Sequence, residues 1–246
     1  MTLPSNNLQA PFYEIFFSFQ GEALYIGLPQ IFVRFAGCNL SCNYCDTNYS
    51  ITVSKKAKYL TVLEVIKKIE SLYKKNNKNF TITNTKPSIA FTGGEPLLYA
   101  DFLKELLPKL KTKGFSIYLE TNGTLYSNFK KIVKFCDIVA MDFKLPSECK
   151  KNFWKEHKQF LKIATSNKAA NVFVKCVITK RTTLKEIKQT TSIIKTIAKD
   201  TPLILQSSLD KNKPKIQNLY IFYRFSKKVI CNVTIMVQMH KIYKIQ

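Results

Sequence analysis

The segment SIAFTGGEPLLYADFLKELLPKLKTKGFSIYLE, residues 88–120, reads as a strand, a helix and a second strand. Apolar runs of strand type lie at 88–91 and 116–120. Between them, apolar residues recur at helical spacing from about residue 101 to 113, and Gly114 is a typical helix end. This order predicts a right-handed β–α–β crossover, and therefore two parallel strands.

The same alternation extends to both sides of this segment. Further strand-type runs lie at 31–36, 137–142, 171–178, 202–206 and 231–238, and helical spacing covers 61–75, 151–168, a segment from 183 and about 214–228. Thr61 with Glu64, and Thr183 with Glu186, have capping-box spacing. About six such units are too few for a closed eight-stranded barrel. The pattern therefore predicts an open, curved partial (β/α)6-type barrel of parallel strands as a single domain over 1–246, with a doubly wound sheet as second choice.

Composition narrows the class of protein. The 246 residues are 46% hydrophobic and 22% charged, which is typical of a globular chain. No apolar stretch is long enough to cross a membrane and no signal peptide is recognisable, so we expect a cytoplasmic protein. The net charge of +23 would suit a nucleic-acid partner, but only three of the 39 basic residues are arginines and the lysines are dispersed. We expect no direct nucleic-acid binding, and the charge is explained equally well by a bias of the source genome.

Three of the seven cysteines, Cys38, Cys42 and Cys45, crowd into one short loop after a strand. The others, Cys136, Cys149, Cys176 and Cys231, stand alone in the sequence. Thiols so close together favour metal ligation over disulfides. A zinc site would need a fourth ligand, whereas three thiolates can hold three irons of a [4Fe–4S] cluster and leave the fourth iron open.

The C-x3-C-x2-C spacing resembles the radical S-adenosylmethionine (SAM) superfamily, whose open iron chelates SAM. Thr92-Gly93-Gly94-Glu95-Pro96 resembles the GGEP motif of that superfamily. Glu120-Thr121-Asn122-Gly123-Thr124 ends another strand with polar residues that suit a cofactor site, although a simple Asn-Gly turn is an alternative interpretation.

Segments around the cysteines resemble the 7-carboxy-7-deazaguanine synthase family. They are residues 16–22 (FFSFQGE), 27–29 (GLP), 32–38 (FVRFAGC), 45–47 (CDT) and 237–241 (VQMHK). The resemblance implies conversion of 6-carboxy-5,6,7,8-tetrahydropterin to 7-carboxy-7-deazaguanine with loss of ammonia, on the queuosine pathway. It also implies Mg²⁺ dependence, a homodimer and an electron donor such as flavodoxin.

The resemblance also implies roles for individual residues. Cluster ligands are Cys38, Cys42 and Cys45, and Thr47 is the Mg²⁺ ligand. SAM contacts are Tyr44, Asp46, Gly94, Asp142, Lys144 and Gln206, and substrate contacts are Phe19, Gln20, Gly21, Arg34 and Thr92. A planar guanidinium at Arg34 suits the substrate carboxylate.

Three positions depart from the family pattern. Ala23 replaces a glycine, which suggests a backbone angle that does not require glycine, or an altered loop. Ser207 follows Gln206 where proline is usual, and Asp142-Phe143-Lys144 is a variant segment. Two other functions remain open. A glycyl-radical activating enzyme would share the cysteine loop, and a basic RNA-binding protein could use the cysteines for a structural metal.

Overall fold

A computed structural model describes residues 8–77, 86–209 and 213–243. Nine strands form one sheet: β1 Gln9–Phe19, β2 Pro29–Phe35, β3 Lys58–Thr61, β4 Ser88–Gly93, β5 Ile117–Thr121, β6 Ile138–Asp142, β7 Asn171–Ile178, β8 Leu203–Ser207 and β9 Val233–Val237. Their spatial order is β3-β1-β2-β4-β5-β6-β7-β8-β9, so β3 and β9 are its edges.

The seven strands from β2 through β4–β9 run parallel, and they include every strand that the sequence predicted. The open, mostly parallel partial barrel is therefore confirmed. The sequence analysis missed β1 and β3, which pair antiparallel. The cysteine loop consequently follows the second strand of the chain, which is the first of the parallel series.

In the described part of the chain, eight α-helices connect and flank the strands: α1 Val62–Asn77, α2 Ala100–Thr112, α3 Tyr126–Phe129, α4 Pro146–Cys149, α5 Trp154–Ser166, α6 Leu184–Ala198, α7 Ile216–Val229 and α8 Met239–Tyr243. Both predicted capping boxes form. The Thr61 N–H donates to Glu64 at 2.7 Å, and the Thr183 N–H donates to Glu186 at 2.8 Å. Each box pairs backbone groups that a helix start leaves without intrahelical partners.

The two faces of the sheet take part in different apolar clusters. One face packs against the helices and forms the main core, with Val33, Phe91, Leu119 and Val174 fully or almost fully buried. The other face carries a smaller apolar cluster that contains Phe32, Ala90, Tyr118, Ile138, Ala140, Phe173 and Ile204. No helix of the described residues is both long and apolar enough to cross a bilayer.

Candidate functional site

The inner face of the sheet changes from apolar to polar toward the carboxyl ends of its strands. Side chains two positions apart share a face of a strand. The apolar residues Phe32, Ala90, Tyr118, Ala140, Phe173 and Ile204 are thus followed, on the same face, by Arg34, Thr92, Glu120, Asp142, Lys175 and Gln206. The apolar cluster forms the floor of a cavity, and the polar set forms its wall.

This cavity has a volume of about 410 Å³, within the range of ligand sites. Every site residue that the sequence analysis singled out lines it: Phe19, Gln20, Gly21, Arg34, Cys38, Cys42, Tyr44, Cys45, Asp46, Thr47, Thr92, Gly94, Asp142, Lys144 and Gln206. The parallel strands explain the convergence of the residues at and after the ends of β2, β4, β6 and β8, because their carboxyl ends meet at one edge of the sheet. Phe19, Gln20 and Gly21 instead end or follow β1, which is antiparallel to β2.

Backbone hydrogen bonds to neighbouring segments hold the cysteine loop in place. The Cys38 N–H donates to Ile51 O at 2.9 Å, and the Asn43 N–H donates to Glu148 O at 3.2 Å. Among the described residues, the three thiols are not a group whose ligand atoms all lie within 4.8 Å of one another. Ligands of one tetrahedral zinc ion are only about 3.8 Å apart at ordinary Zn–S lengths. The spacing therefore suits a cluster in which each thiolate binds a different iron.

Burial raises the pKa of the Cys38 thiol to about 11. A hydrogen bond with Cys149 lowers the pKa of the Cys42 thiol to about 7, against the effect of burial. The thiol that the sequence left isolated, Cys149, lies with its Sγ atom 3.2 Å from that of Cys42. Cys149 is thus isolated in the sequence but not in the fold.

Gly94 permits a close approach between two loops. A Cβ atom there would lie 1.9 Å from the carbonyl oxygen of Gly37 and 2.7 Å from that of Ser50. The neighbouring Glu95 is buried and accepts hydrogen bonds from the Thr121 hydroxyl at 2.8 Å and the Asn122 N–H at 2.8 Å. The GGEP segment thus joins the cysteine loop to the end of β5.

Glu95 itself carries a strongly perturbed carboxyl group. Burial raises its pKa to about 7, although three hydrogen bonds favour the ionised form. Asn122 extends the connection, because its side chain donates to Asn39 Oδ1 at 2.8 Å in the cysteine loop. Gly123 has a left-handed backbone conformation, as a simple turn would, but the segment also makes the hydrogen bonds to Glu95 and Asn39.

The wall of the cavity at the ends of β6 and β8 contains buried polar atoms that have no hydrogen-bond partner. Lys144 Nζ donates to Asp142 Oδ2 at 2.7 Å and to the Tyr44 hydroxyl at 3.2 Å. Burial would lower the pKa of Lys144, but Asp142, Tyr44 and Cys42 together outweigh it and raise that pKa. Asp142 Oδ1 and both polar atoms of the Gln206 side chain are buried and have no hydrogen-bond partner. Unpaired buried polar groups are costly, so this wall fits a polar ligand such as SAM.

The opposite wall, at the ends of β2, β4 and β5, contains polar side chains that are held by hydrogen bonds. Glu120 accepts from Gln20 Nε2 at 2.9 Å and from the Thr92 hydroxyl at 2.8 Å. Arg34 Nε donates to Glu14 Oε1 at 2.6 Å, which fixes one edge of the guanidinium. This wall therefore offers a fixed carboxylate and a fixed cation to a ligand.

The segment after β9 closes one side of the cavity. Gln238 Nε2 donates to Glu22 at 3.0 Å and to Asp46 at 3.1 Å, and His240 Nε2 lies 3.4 Å from Asp46. Glu22, Asp46 and His240 place ligand atoms within 4.8 Å of one another, as a metal site would. Lys175 pairs with Glu22 at 2.5 Å and Lys241 lies 3.7 Å from Asp46, so cations already neutralise these carboxylates.

Thr47 follows Asp46 and begins a short 3-10 turn. Its side chain makes no capping hydrogen bond to that turn, and its hydroxyl lies 3.9 Å from Cys45 Sγ. Its hydroxyl therefore does not cap this turn, and its role as the Mg²⁺ ligand remains a prediction.

Several charged cavity residues had no individual role in the sequence analysis, among them Glu22, Glu120, Lys175 and His240, although all of these except Lys175 lie in motifs quoted there. Glu120 and Lys175 carried a usable signal, since each lies two positions after an apolar residue of a strand run. For Glu22 and His240, no local spacing of apolar and polar residues indicates that the side chain faces the cavity.

Ala23 lies in the left-handed region, with φ of 56°. Of the two explanations given for Ala23, a backbone angle that does not require glycine is wrong, because this region favours glycine and costs other residues about 1–2 kcal/mol; the altered loop remains a prediction. Ala23 is almost fully buried against the inner apolar cluster, and this packing offsets part of the strain.

Comparisons with known proteins agree with this geometry. Residues 32–193 match the model of the Radical SAM superfamily. The 7-carboxy-7-deazaguanine synthase of Geobacter sulfurreducens is 36% identical over 205 residues, which are 78% of this chain and 79% of the relative. The enzyme of that name from Methanocaldococcus jannaschii is 32% identical over 239 residues, which are 93% of this chain and 97% of the relative.

Among solved structures, QueE from Escherichia coli is similar, with a TM-score of 0.61 and 20% sequence identity. The match covers 94% of this chain and 96% of that one. At this identity the likeness supports the fold alone, an open partial barrel.

Proposed function

The chain belongs to the radical SAM superfamily and, within it, to the 7-carboxy-7-deazaguanine synthase family, and from this premise we propose a specific reaction. The substrate is 6-carboxy-5,6,7,8-tetrahydropterin, and the products are 7-carboxy-7-deazaguanine and ammonia. The observation that carries the proposal is the convergence on one cavity of three separated thiols, a wall with unpaired polar atoms and a wall with fixed polar groups.

The superfamily implies a [4Fe–4S] cluster and SAM. We assign the cluster to Cys38, Cys42 and Cys45, because these thiols share one loop at the cavity and do not form a compact three-ligand group of the kind that one zinc ion needs. Held by these thiolates, the cluster would supply the electron for SAM cleavage and hence the radical chemistry that removes hydrogen from the substrate. The protein supplies position and electrostatics around it.

SAM is assigned to the wall with the unpaired atoms. Gln206 and Asp142 would gain the hydrogen bonds that they lack, and Lys144 holds Asp142 in place. The remaining SAM contacts assigned here, Tyr44, Asp46 and Gly94, also line the cavity beside the cysteine loop.

The pterin is assigned to the opposite wall. Gln20 Nε2 already donates to Gln30 and Glu120, so Gln20 Oε1 would accept one hydrogen bond from the ring, and Arg34 would hold the carboxylate. Thr92 shares the Glu120 carboxylate, while Phe19 and Gly21 border the same side of the cavity. Glu120 adds a group that the sequence analysis did not assign, and it suits the amino group and ring N–H of a pterin.

The other parts of the proposal rest on family membership. They are a Mg²⁺ ion at Thr47, an electron donor such as flavodoxin, a homodimer and a cytoplasmic location. Mg²⁺ prefers oxygen ligands and keeps several waters, so one hydroxyl with substrate oxygens is a reasonable site.

The deciding experiment is anaerobic incubation of the reconstituted protein with 6-carboxy-5,6,7,8-tetrahydropterin, SAM, Mg²⁺ and dithionite. Mass spectrometry should detect 7-carboxy-7-deazaguanine, with ammonia released in equal amount. SAM cleavage without consumption of the pterin would contradict the substrate. Neither the family match nor the relatives above support a glycyl-radical activating enzyme.

Replacement of Arg34 with lysine should weaken substrate binding. The charge is kept, but the planar fork that is fixed against Glu14 is lost, which we expect to cost about 1.5–3 kcal/mol. Isothermal titration with the pterin should show the loss, while SAM binding is unchanged. Arg224→Lys makes the same change outside the cavity and should bind normally. Equal pterin affinity in both variants would remove Arg34 from the substrate site.

Replacement of Thr47 with valine tests the Mg²⁺ site. Valine is nearly isosteric but lacks the hydroxyl, so most of the stimulation by Mg²⁺ should disappear while the cluster and SAM cleavage persist. The measurement is the ratio of turnover rates with and without Mg²⁺ at saturating pterin. The exposed Thr52→Val variant is the control and should keep the wild-type ratio. An unchanged ratio in Thr47→Val would place the ion elsewhere.

A further inference from the structure

Cys149 lies beside a proposed cluster ligand although it is 107 residues away in the sequence. Its Sγ atom is 3.2 Å from that of Cys42, within hydrogen-bond distance for sulfur. Cys149 is half-buried and ends the short helix α4. Neither the family pattern nor the proposed function assigns a role to this thiol.

The position of Cys149 is fixed by its neighbours. Glu148 O accepts the hydrogen bond from Asn43 N–H at 3.2 Å, which ties α4 to the cysteine loop one residue after Cys42. The Glu148 carboxylate is fully buried, and it accepts from the Thr179 hydroxyl at 2.5 Å and from Arg181 at 2.9 Å.

A further bond holds the start of α4, where the Ser147 N–H donates to Glu186 at 2.7 Å. The contact between the two sulfur atoms therefore joins two segments that are each held by other bonds, and does not depend on the rotamer of one exposed side chain.

The direction of the hydrogen bond follows from the chemistry of a ligand. A cysteine bound to iron is a thiolate and can only accept. Cys149 is then the donor. We propose that Cys149 donates an S–H···S hydrogen bond to the sulfur of Cys42 and thereby raises the reduction potential of the cluster; this rests on the proposed cluster ligation.

The physical reason is a difference between two redox states. Reduction adds negative charge to the cluster and to its thiolate sulfurs, so a donor to one of these sulfurs stabilises the reduced state more than the oxidised state. Cys149 is a positioning and tuning residue in this account, since it touches a ligand and not the substrate.

The test compares wild type with Cys149→Ala, which lacks the donor, and Cys149→Ser, which keeps one. The reduced fraction of the reconstituted cluster is followed by electron paramagnetic resonance during an anaerobic redox titration without SAM. In Cys149→Ala the ratio of reduced to oxidised cluster at a fixed potential should fall about tenfold, which corresponds to about 59 mV for one electron. Cys149→Ser should remain close to wild type, and the exposed Cys231→Ala should be unchanged.

Each outcome decides the question. An unchanged potential in Cys149→Ala would overturn the proposal, and so would equal shifts in the alanine and serine variants, which would point to packing. Loss of the cluster in both variants would also overturn it, because Cys149 would then be a ligand. If only the alanine variant loses its cluster while the serine variant keeps a near-wild-type potential, a donor is required and the proposal stands. A wild type that binds no cluster would contradict the proposed function itself.

Discussion

Cys45→Ala should yield a protein that folds but retains no [4Fe–4S] cluster and has no turnover. The three thiols on the loop bind three different irons in this assignment, so loss of one leaves two ligands for a cube that needs three. Iron analysis after anaerobic reconstitution should fall from about four irons per chain to near zero. The brown colour should disappear with it.

Cys231→Ala is the matched control for this substitution. Cys231 is exposed and does not line the cavity, so this variant should retain its iron and its turnover. Wild-type protein that holds stoichiometric zinc and no iron would refute the cluster assignment, and full iron content in Cys45→Ala would show that the loop uses other ligands.

Gly94→Ala should also abolish the cluster, by a steric route. The added Cβ would lie 1.9 Å from Gly37 O, one residue before Cys38, so the backbone of one loop must move. Overpacking of a tight site typically costs about 1–3 kcal/mol, and a clash with backbone atoms belongs at the upper end or above. Urea unfolding of the cluster-free protein should show this loss, and iron analysis should show a depleted cluster.

The control for backbone effects is Gly114→Ala. Gly114 has a positive φ of 78°, and its nearest crowding atom is Lys86 Nζ at 3.9 Å, so only the left-handed backbone is strained. We expect a cost of about 1 kcal/mol and an intact cluster. Similar destabilisation of the two variants, with full iron in both, would mean that the contact of Gly94 with Gly37 is unimportant.

Local patterns predicted the parallel part of the sheet because each strand run there is apolar and bounded by turn or helix signals. The run IAF before Thr92 and the capping box at Thr183 are examples, and both formed as expected. Strand β1 was not predicted, because its middle, residues 13–17, is half-buried on both faces and shows no alternation of apolar and polar residues. Strand β3 has four residues, of which two are exposed.

The candidate site was predicted where the family pattern supplied the residues, and missed where it depended on distant partners. Nothing local to Cys149 indicates that it lies beside Cys42, since the fold alone brings α4 to the cysteine loop. His240 likewise reaches Asp46 only because β9 is the edge strand next to β8. The inward direction of the Glu120 side chain could have been predicted, because Glu120 lies two positions after Tyr118 and therefore on the same face of β5.

The link between Gln238 and Glu22 has a consequence for how the protein is made. These residues are 216 positions apart, so the ribosome must synthesise nearly the whole intervening sheet before one wall of the cavity can form. Non-local contacts of this kind, in parallel sheets above all, fold slowly and leave apolar surface exposed in the meantime. The part of the inner apolar cluster against which Met236 of β9 packs is therefore open to chaperones, or to aggregation, until β9 has docked.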